Sequence, residues 1–189
     1  FTFVSFGVLG LVDDLRKTFG LERSGFWGLR FSFKLLIQVV LALGISFMLY
    51  FGIGIELVNV RFVDIFHLGW FYIPFATLVI VSFSNAVNIS DGLDGLASGL
   101  LVICLFALLV LSRSILDSTL SIFIGLWIGA LLAFLYFNVY PARIWLGDVG
   151  SLSFGATLAV AGLLLGKPIA LVIIGGVFVV EALSSLLQL

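Results

Sequence analysis

The sequence predicts an all-α, polytopic transmembrane helical bundle of about seven helices, and three observations predict it. Hydrophobic residues make up 62% of the 189 positions, while charged residues make up only 10%. The mean hydropathy is +1.34, whereas a soluble domain is only about 45–50% apolar. The apolar positions come in runs of roughly 20, the length that spans a bilayer as a helix, and no alternating pattern indicates a membrane barrel.

Residues 1–12 (FTFVSFGVLGLV) read as the tail of a helix, and residues 13–31 as a polar loop with Arg16, Lys17, Glu22, Arg23 and Arg30. Lys34 sits at the entry to a helix over residues 32–52. Residues 53–69 form a loop with Glu56, Asn59, Arg61, Asp64 and His67, in which the run from Val58 to Val63 alternates as a short strand would. A third helix covers 70–87, with Trp70 and Tyr72 as interfacial anchors. Helices follow over 95–112 and 119–138, separated by a loop with Arg113 and Asp117. The loop 139–150 carries Pro141, Arg143 and Asp148, a sixth helix runs over 151–165, and Lys167-Pro168 turns into a last helix from Ile169. The chain is expected to form one transmembrane domain over 1–189. It opens and closes inside apolar runs, which reads as a fragment truncated at both ends, with no signal peptide. The single cysteine, Cys104, excludes a disulfide framework or zinc site on count and reads as a core or lipid-facing residue.

Each helix reverses the side of the membrane. Counting crossings puts the Asp13-Asp14 segment, the turn from Asn85 to Asp94 and the stretch from Gly147 to Ser151 in one compartment. That side carries Arg16, Lys17, Arg23, Arg30, Lys34 and Arg143, six basic residues, against Arg61, Arg113 and Lys167, three, on the other. Cytoplasmic loops carry the Lys/Arg excess, so the three polar clusters are expected to face the cytoplasm. Asp13, Asp14, Glu22, Asp91, Asp94 and Asp148 share that side. Acid beside base at one end of the helices suits a metal and a charged substrate. The net charge of −1 favours no nucleic-acid partner.

Polar clusters in or beside a bilayer are functional-site candidates by default. Asn88, Asp91 and Asp94 recur every three residues, so their oxygens can converge on a helical turn or a tight turn permitted by Gly92 and Gly95. Such oxygens are the ligands magnesium prefers, with phosphate completing its shell. Asp13 and Asp14 are adjacent and point in different directions on a helix, so they serve different partners. Gly147-Asp148-Val149-Gly150-Ser151 leads into a helix, whose N-terminal N–H groups favour an anion; Asp148 there calls for a divalent cation between carboxylate and phosphate. The simpler alternative for each cluster is a helix cap or an interfacial ion pair. Glu181, inside an apolar helix, is expected to be protonated, paired or turned to a polar cavity.

An Asp-Asp pair, an Asn-x-x-Asp-Gly-x-Asp-Gly turn and a Gly-Asp-x-Gly-Ser stretch together resemble the polyprenyl-phosphate N-acetylhexosamine-1-phosphate transferase superfamily, glycosyltransferase family 4. Within it, the stretches from Asn85 to Ala97, from Phe137 to Leu152 and from Gly175 to Glu181 resemble the phospho-N-acetylmuramoyl-pentapeptide-transferases. The resemblance implies transfer of phospho-MurNAc-pentapeptide from UDP-MurNAc-pentapeptide to undecaprenyl phosphate, giving lipid I and UMP, with Mg2+ as cofactor. It implies a multi-pass protein of the bacterial cytoplasmic membrane, with the bilayer and a second copy of the chain as further expected partners.

The resemblance also implies roles. Asp148 matches the magnesium ligand. Asp13 and Asp14 match the catalytic pair, of which one either attacks the pyrophosphate or deprotonates the lipid phosphate. Lys34, four residues before Gln38, matches a lysine that meets the phosphates, although the loop before it is longer than usual. Asn85, Asn88, Asp91, Asp94 and Asn138 match polar substrate-binding positions, Asp91 nearest the uracil. Trp145 stands where the family usually has Phe, three residues before Asp148, and is expected to stack on uracil. Helices bearing a Lys and a Thr-x-Met-Gly-Gly stretch are expected ahead of Phe1 and a His-rich loop beyond Leu189, so the chain alone is expected to be inactive. A sister transferase using UDP-GlcNAc is the nearest alternative reading, and a membrane transporter the remote one.

Overall fold

A computed structural model describes residues 1–19, 31–55, 57–60, 64–114 and 118–188. Glu22, Arg23, Arg30, Glu56, Arg61 and Asp117 lie outside the described residues. The chain is a helical bundle: α1 (Thr2–Phe19), α2 (Phe31–Phe47) extended by a π-helical turn Met48–Gly52, α3 (Tyr72–Ser90) entered by a 3-10 turn Gly69–Phe71, α4 (Leu96–Ser114), α5 (Ser118–Asn138), α6 (Gly147–Leu164), α7 (Pro168–Ile174) and α8 (Gly176–Leu187). Five of these segments, from α2 to α6, are long and apolar enough to cross a membrane, and α7 with α8 makes a sixth if the bent pair is one span. With α1, that gives seven helical units among the described residues, the number expected.

Four boundaries differ from the sequence reading. α1 continues through Asp13 and Asp14 to Phe19. Its polar residues are spaced for a helix, because Asp13 and Lys17 pair at i,i+4, and Arg16 and Lys17 in the last turn complement the macrodipole. α6 starts at Gly147 rather than Ser151, which makes Asp148 a first-turn residue. The last apolar run is broken at Gly175, where α7 and α8 meet at 74°. Residues 53–69 hold a two-stranded antiparallel hairpin, β1 (Leu57–Val60) with β2 (Asp64–His67), in the register Leu57 opposite His67.

Helix α6 is the centre of the bundle. It packs between α1 and α3, and glycines set both crossings. A Cβ at Gly10 of α1 would sit 2.2 Å from the Asp148 carbonyl oxygen, and one at Gly155 of α6 would sit 2.5 Å from the Phe83 carbonyl oxygen of α3. Small residues let membrane helices approach backbone to backbone, where packing rather than hydrophobicity drives association. The core runs between these helices through Phe6, Ile80, Leu152 and Leu158. Helices α2 and α5 leave most of their surface outside the bundle. At the end opposite the polar clusters, Trp70 is exposed as an interfacial anchor should be, but Tyr72 is fully buried under Tyr50, so it is a packing residue rather than an anchor. His67 is exposed at that same end, and Cys104 is buried.

Candidate active site

Alternating helix directions bring the C-terminal ends of α1, α3 and α5 to the N-terminal ends of α2, α4 and α6. The three polar clusters, far apart in sequence, meet there.

Asp13 and Asp148 form the centre. Both point an Oδ2 at the same two ammonium groups. The Lys17 Nζ lies 3.0 Å from Asp13 and 2.6 Å from Asp148, and the Lys34 Nζ lies 3.1 Å and 2.6 Å from the same two oxygens. Asp13 is only 2% exposed, and a carboxylate so far from water needs paired charge and hydrogen bonds. Among the described residues, the two ammonium groups serve these two carboxylates, and Lys17 also lies 3.8 Å from Asp14 Oδ1, so acid outnumbers base at this end. Asn88 holds the other oxygen: its Nδ2 donates to Asp148 Oδ1 at 2.8 Å and to Ser151 Oγ at 2.7 Å.

The N-terminus of α6 is occupied by side chains. The Val149 N–H donates to Asp14 Oδ2 at 3.1 Å. The expectation of free N–H groups awaiting a phosphate is therefore corrected for Val149, since the Asp14 carboxylate satisfies its N–H and complements the positive end of the helix dipole. Gly147 has φ +64, and a side chain there would meet Asp14 Oδ2 at 2.9 Å. Asp13 and Asp14 thus flank the first turn of α6 from adjacent positions, one toward the lysines and one toward the backbone. Burial and the neighbouring Asp148 and Asp14 charges push the Asp91 carboxyl up to about 6.

The remaining expected residues fall elsewhere. Asn88 and Asp91 turn toward α6, but the chain leaves the helix at Asp91 and Gly95 takes φ +77. Asp94 therefore faces the loop after α5. Its Oδ2 accepts the Ala142 N–H at 3.0 Å and its Oδ1 accepts the Trp145 indole N–H at 3.2 Å. Asn138 is buried beside that loop, accepting from Ser98 Oγ at 2.6 Å and donating to the Ile144 carbonyl at 2.9 Å. Trp145 itself is 70% exposed. Asn85 sits one helical turn deeper than Asn88 and pairs with Gln38, its Nδ2 donating to Oε1 at 2.5 Å. Lys34 and Gln38, four residues apart on one face of α2, thus serve Asp148 and Asn85 in turn.

The sequence reading counted Lys17 only among the basic residues on this side and assigned no role in the site to Gln38 or Ser98. The i,i+4 spacing of Asp13 and Lys17 could have signalled the first; the others are single polar residues in apolar runs whose partners are distant in sequence. Glu181 is paired, accepting a hydrogen bond from Ser90 Oγ.

Among the described residues, no three His, Cys, Asp or Glu side chains form a metal-sized group. The donors at the centre are nevertheless hard oxygens, and two cationic heads lie where the carboxylates converge. That arrangement attracts positive charge and suits a divalent cation that prefers oxygen ligands.

Residues 1–166 match glycosyl transferase family 4. The chain is 39% identical over 207 residues to the phospho-N-acetylmuramoyl-pentapeptide-transferase of Thermodesulfovibrio yellowstonii, covering 99% of this chain and 56% of that protein. It is 38% identical over 190 residues to the enzyme of that name from Clostridium novyi, covering 100% and 58%. It is 41% identical over 201 residues to that of Desulfotalea psychrophila, covering 97% and 55%. The chain spans a little over half the length of these curated relatives.

Proposed function

The chain belongs to glycosyl transferase family 4, and on that premise we propose that the full-length protein transfers phospho-MurNAc-pentapeptide from UDP-MurNAc-pentapeptide to undecaprenyl phosphate, releasing UMP and forming lipid I. One observation carries this reading. Asp13 and Asp148 converge on Lys17 and Lys34 at a single end of a membrane bundle, where a lipid phosphate and a nucleotide pyrophosphate can both arrive.

The bond between the sugar-side phosphorus and the bridging oxygen breaks, and UMP leaves with that oxygen. A new P–O bond forms to the lipid phosphate. Transfer is either direct, with Asp13 or Asp14 taking the lipid phosphate's proton, or passes through a phosphoryl group carried on one of these carboxylates. Phosphoryl transfer asks mainly for positioning and charge neutralisation. Lys17 and Lys34 sit on flexible stems and can turn their heads from the carboxylates to the incoming phosphates. Asp148, beside Asp13 and Asn88, would hold Mg2+, which when bound supplies neutralisation of the pyrophosphate charge. Trp145 offers an exposed ring to the uracil, with Asn138 and Asp94 holding its loop, and Asp91 and Asn85 complete the polar wall.

The excess of basic residues on the site's side of the membrane supports a cytoplasmic active site, in the bacterial inner membrane. A homodimer is part of the proposal, tested by mass photometry in detergent. The function is tested on the full-length protein with undecaprenyl phosphate and magnesium. UMP release with UDP-MurNAc-pentapeptide, lost in Asp148→Ala, is the expected result. Release with UDP-GlcNAc alone would move the protein to the sister transferases.

A further inference from the structure

The bend between α7 and α8 frees backbone groups inside an apolar region, where they need partners. The structure supplies them at specific points. The Cys104 thiol of α4 donates to the Ile174 carbonyl at 3.3 Å. Gly175 lies against the Phe83 ring of α3, and a Cβ there would meet Cε1 at 2.6 Å. These contacts fix where the last helix breaks. They leave the direction of α8 to the contacts further along it.

Phe178 of α8 is fully buried in the core, and the polar contact beyond it is made by Glu181. Its carboxylate accepts the hydroxyl of Ser90, a residue only 3% exposed. Among the described residues, no other side-chain hydrogen bond joins α8 to another helix. Ser90 is the last residue of α3. Two residues earlier in the same last turn, Asn88 donates to Asp148 Oδ1 at 2.8 Å and to Ser151 Oγ at 2.7 Å in the first turns of α6. A short path therefore runs from α8 to the reacting cluster: Glu181 to Ser90 by hydrogen bond, Ser90 to Asn88 through the last turn of α3, and Asn88 to Asp148 by hydrogen bond.

We propose that Ser90 and Glu181 are a positioning pair that couples the orientation of the bent half-helix α8 to the placement of the α3 C-terminal turn that holds Asp148 through Asn88. Neither residue need touch the reacting atoms. The pair requires a donor at position 90 and an acceptor at position 181, and it acts on how well the last turn of α3 is placed against Asp148 when the substrates are bound. This inference rests on the transferase reading above for its kinetic consequence, but not for its structural one.

The test uses the full-length protein in detergent, with Ser90→Ala, Ser90→Thr, Glu181→Ala, Glu181→Gln and the Ser90→Ala/Glu181→Ala double variant. UMP release gives kcat and the nucleotide KM. Hydrogen exchange reports separately on segments 91–95 and 176–187. The expected result is a fall of about tenfold in kcat for either alanine variant, with KM changed less than twofold, corresponding to about 1.4 kcal/mol in the barrier. The double variant should be no worse than the worse single one, because both break the same link. Ser90→Thr and Glu181→Gln, which keep donor and acceptor, should stay within twofold of wild type. Exchange should rise in both segments in the alanine variants and in neither conservative one.

A Glu181→Gln variant as impaired as Glu181→Ala would overturn the proposal, because charge rather than the hydrogen bond would then matter. So would a double variant whose loss is the product of the single losses, or exchange that rises at α8 alone. If wild type releases no UMP yet the two segments exchange together, the transferase reading fails and the pair stands. If Ser90→Ala does not purify as a folded protein, Glu181→Ala carries the same comparison.

Discussion

Asp148 and Asp94 are the same side chain at the same end of the bundle, yet they are neutralised in opposite ways. Asp148 is surrounded by charge: two lysine ammonium groups at 2.6 Å and the amide of Asn88 at 2.8 Å. Asp94 is surrounded by neutral donors, the Ala142 N–H and the Trp145 indole. The first arrangement stores mobile positive charge that a phosphate can claim. The second pins a loop and leaves nothing to release. A carboxylate's role therefore follows from its donors, and the two regions should respond differently to the same kind of substitution.

The largest expected difference is at Asp148. Asp148→Asn keeps an acceptor for Asn88 but removes the charge, and should lower kcat by about 10³-fold, the scale of losing a preorganised electrostatic group. UMP release with saturating substrates measures it. A loss under tenfold would erase the contrast with Asp94. Next come the lysines. Lys34→Met keeps the apolar stem and removes the head, taking from Asp13 and Asp148 one of the two lysine heads they share among the described residues. It should cost about 10²-fold in kcat and also lower the melting temperature, because a buried carboxylate loses a partner.

The loop region should give smaller effects of a different kind. Trp145→Phe removes the indole donor but keeps an aromatic face. One neutral hydrogen bond is worth about 1 kcal/mol, so the nucleotide KM should rise by about fivefold with kcat unchanged. An equal fall in kcat would mean that the loop shares the work of the charged centre.

The smallest effect concerns Asp91, which stands between the two regions. Its carboxyl is raised to about 6 in the folded protein, against an ordinary value near 3.8. The unfolded chain ionises first, so the stabilising contribution of the neutral form is present below pH ~4 and lost as the pH rises through ~6. In metal-free buffer, Asp91→Asn should therefore gain melting temperature relative to wild type between pH 4 and 7. A constant difference across that range would place Asp91 among ordinary surface carboxylates.

The helices were legible because apolar runs of membrane length leave few alternatives. The clusters were legible because Asp13, Asp91 and Asp148 are expensive in such a chain, and parity of crossings put them on one side. The extension of α1 was not, because four charges between Asp13 and Lys17 obscure a helix whose i,i+4 pairing sustains it. The break at Gly175 was not, although Gly175-Gly176 marks the place, because a hydropathy run carries no direction. The division of labour between Asp148 and Asp94 was the least legible. Asp94 sits in the same three-residue spacing as Asn88 and Asp91, and the exit from the helix at Asp91, continued by the turn at Gly95 with φ +77, sends it to a different partner.

The two backbone-level crossings, at Gly10 and at Gly155, have a consequence for life in a lipid bilayer of variable thickness. Helices that touch through side chains can adjust by rotamer changes when the bilayer thins or swells. Helices held backbone to backbone cannot, so α1, α3 and α6 must tilt as one unit. Mismatch with the surrounding lipid then has to be absorbed by α2 and α5, which leave most of their surface outside the bundle. The distance between Asp13 and Asp148 is thereby insulated from the composition of the membrane that surrounds it.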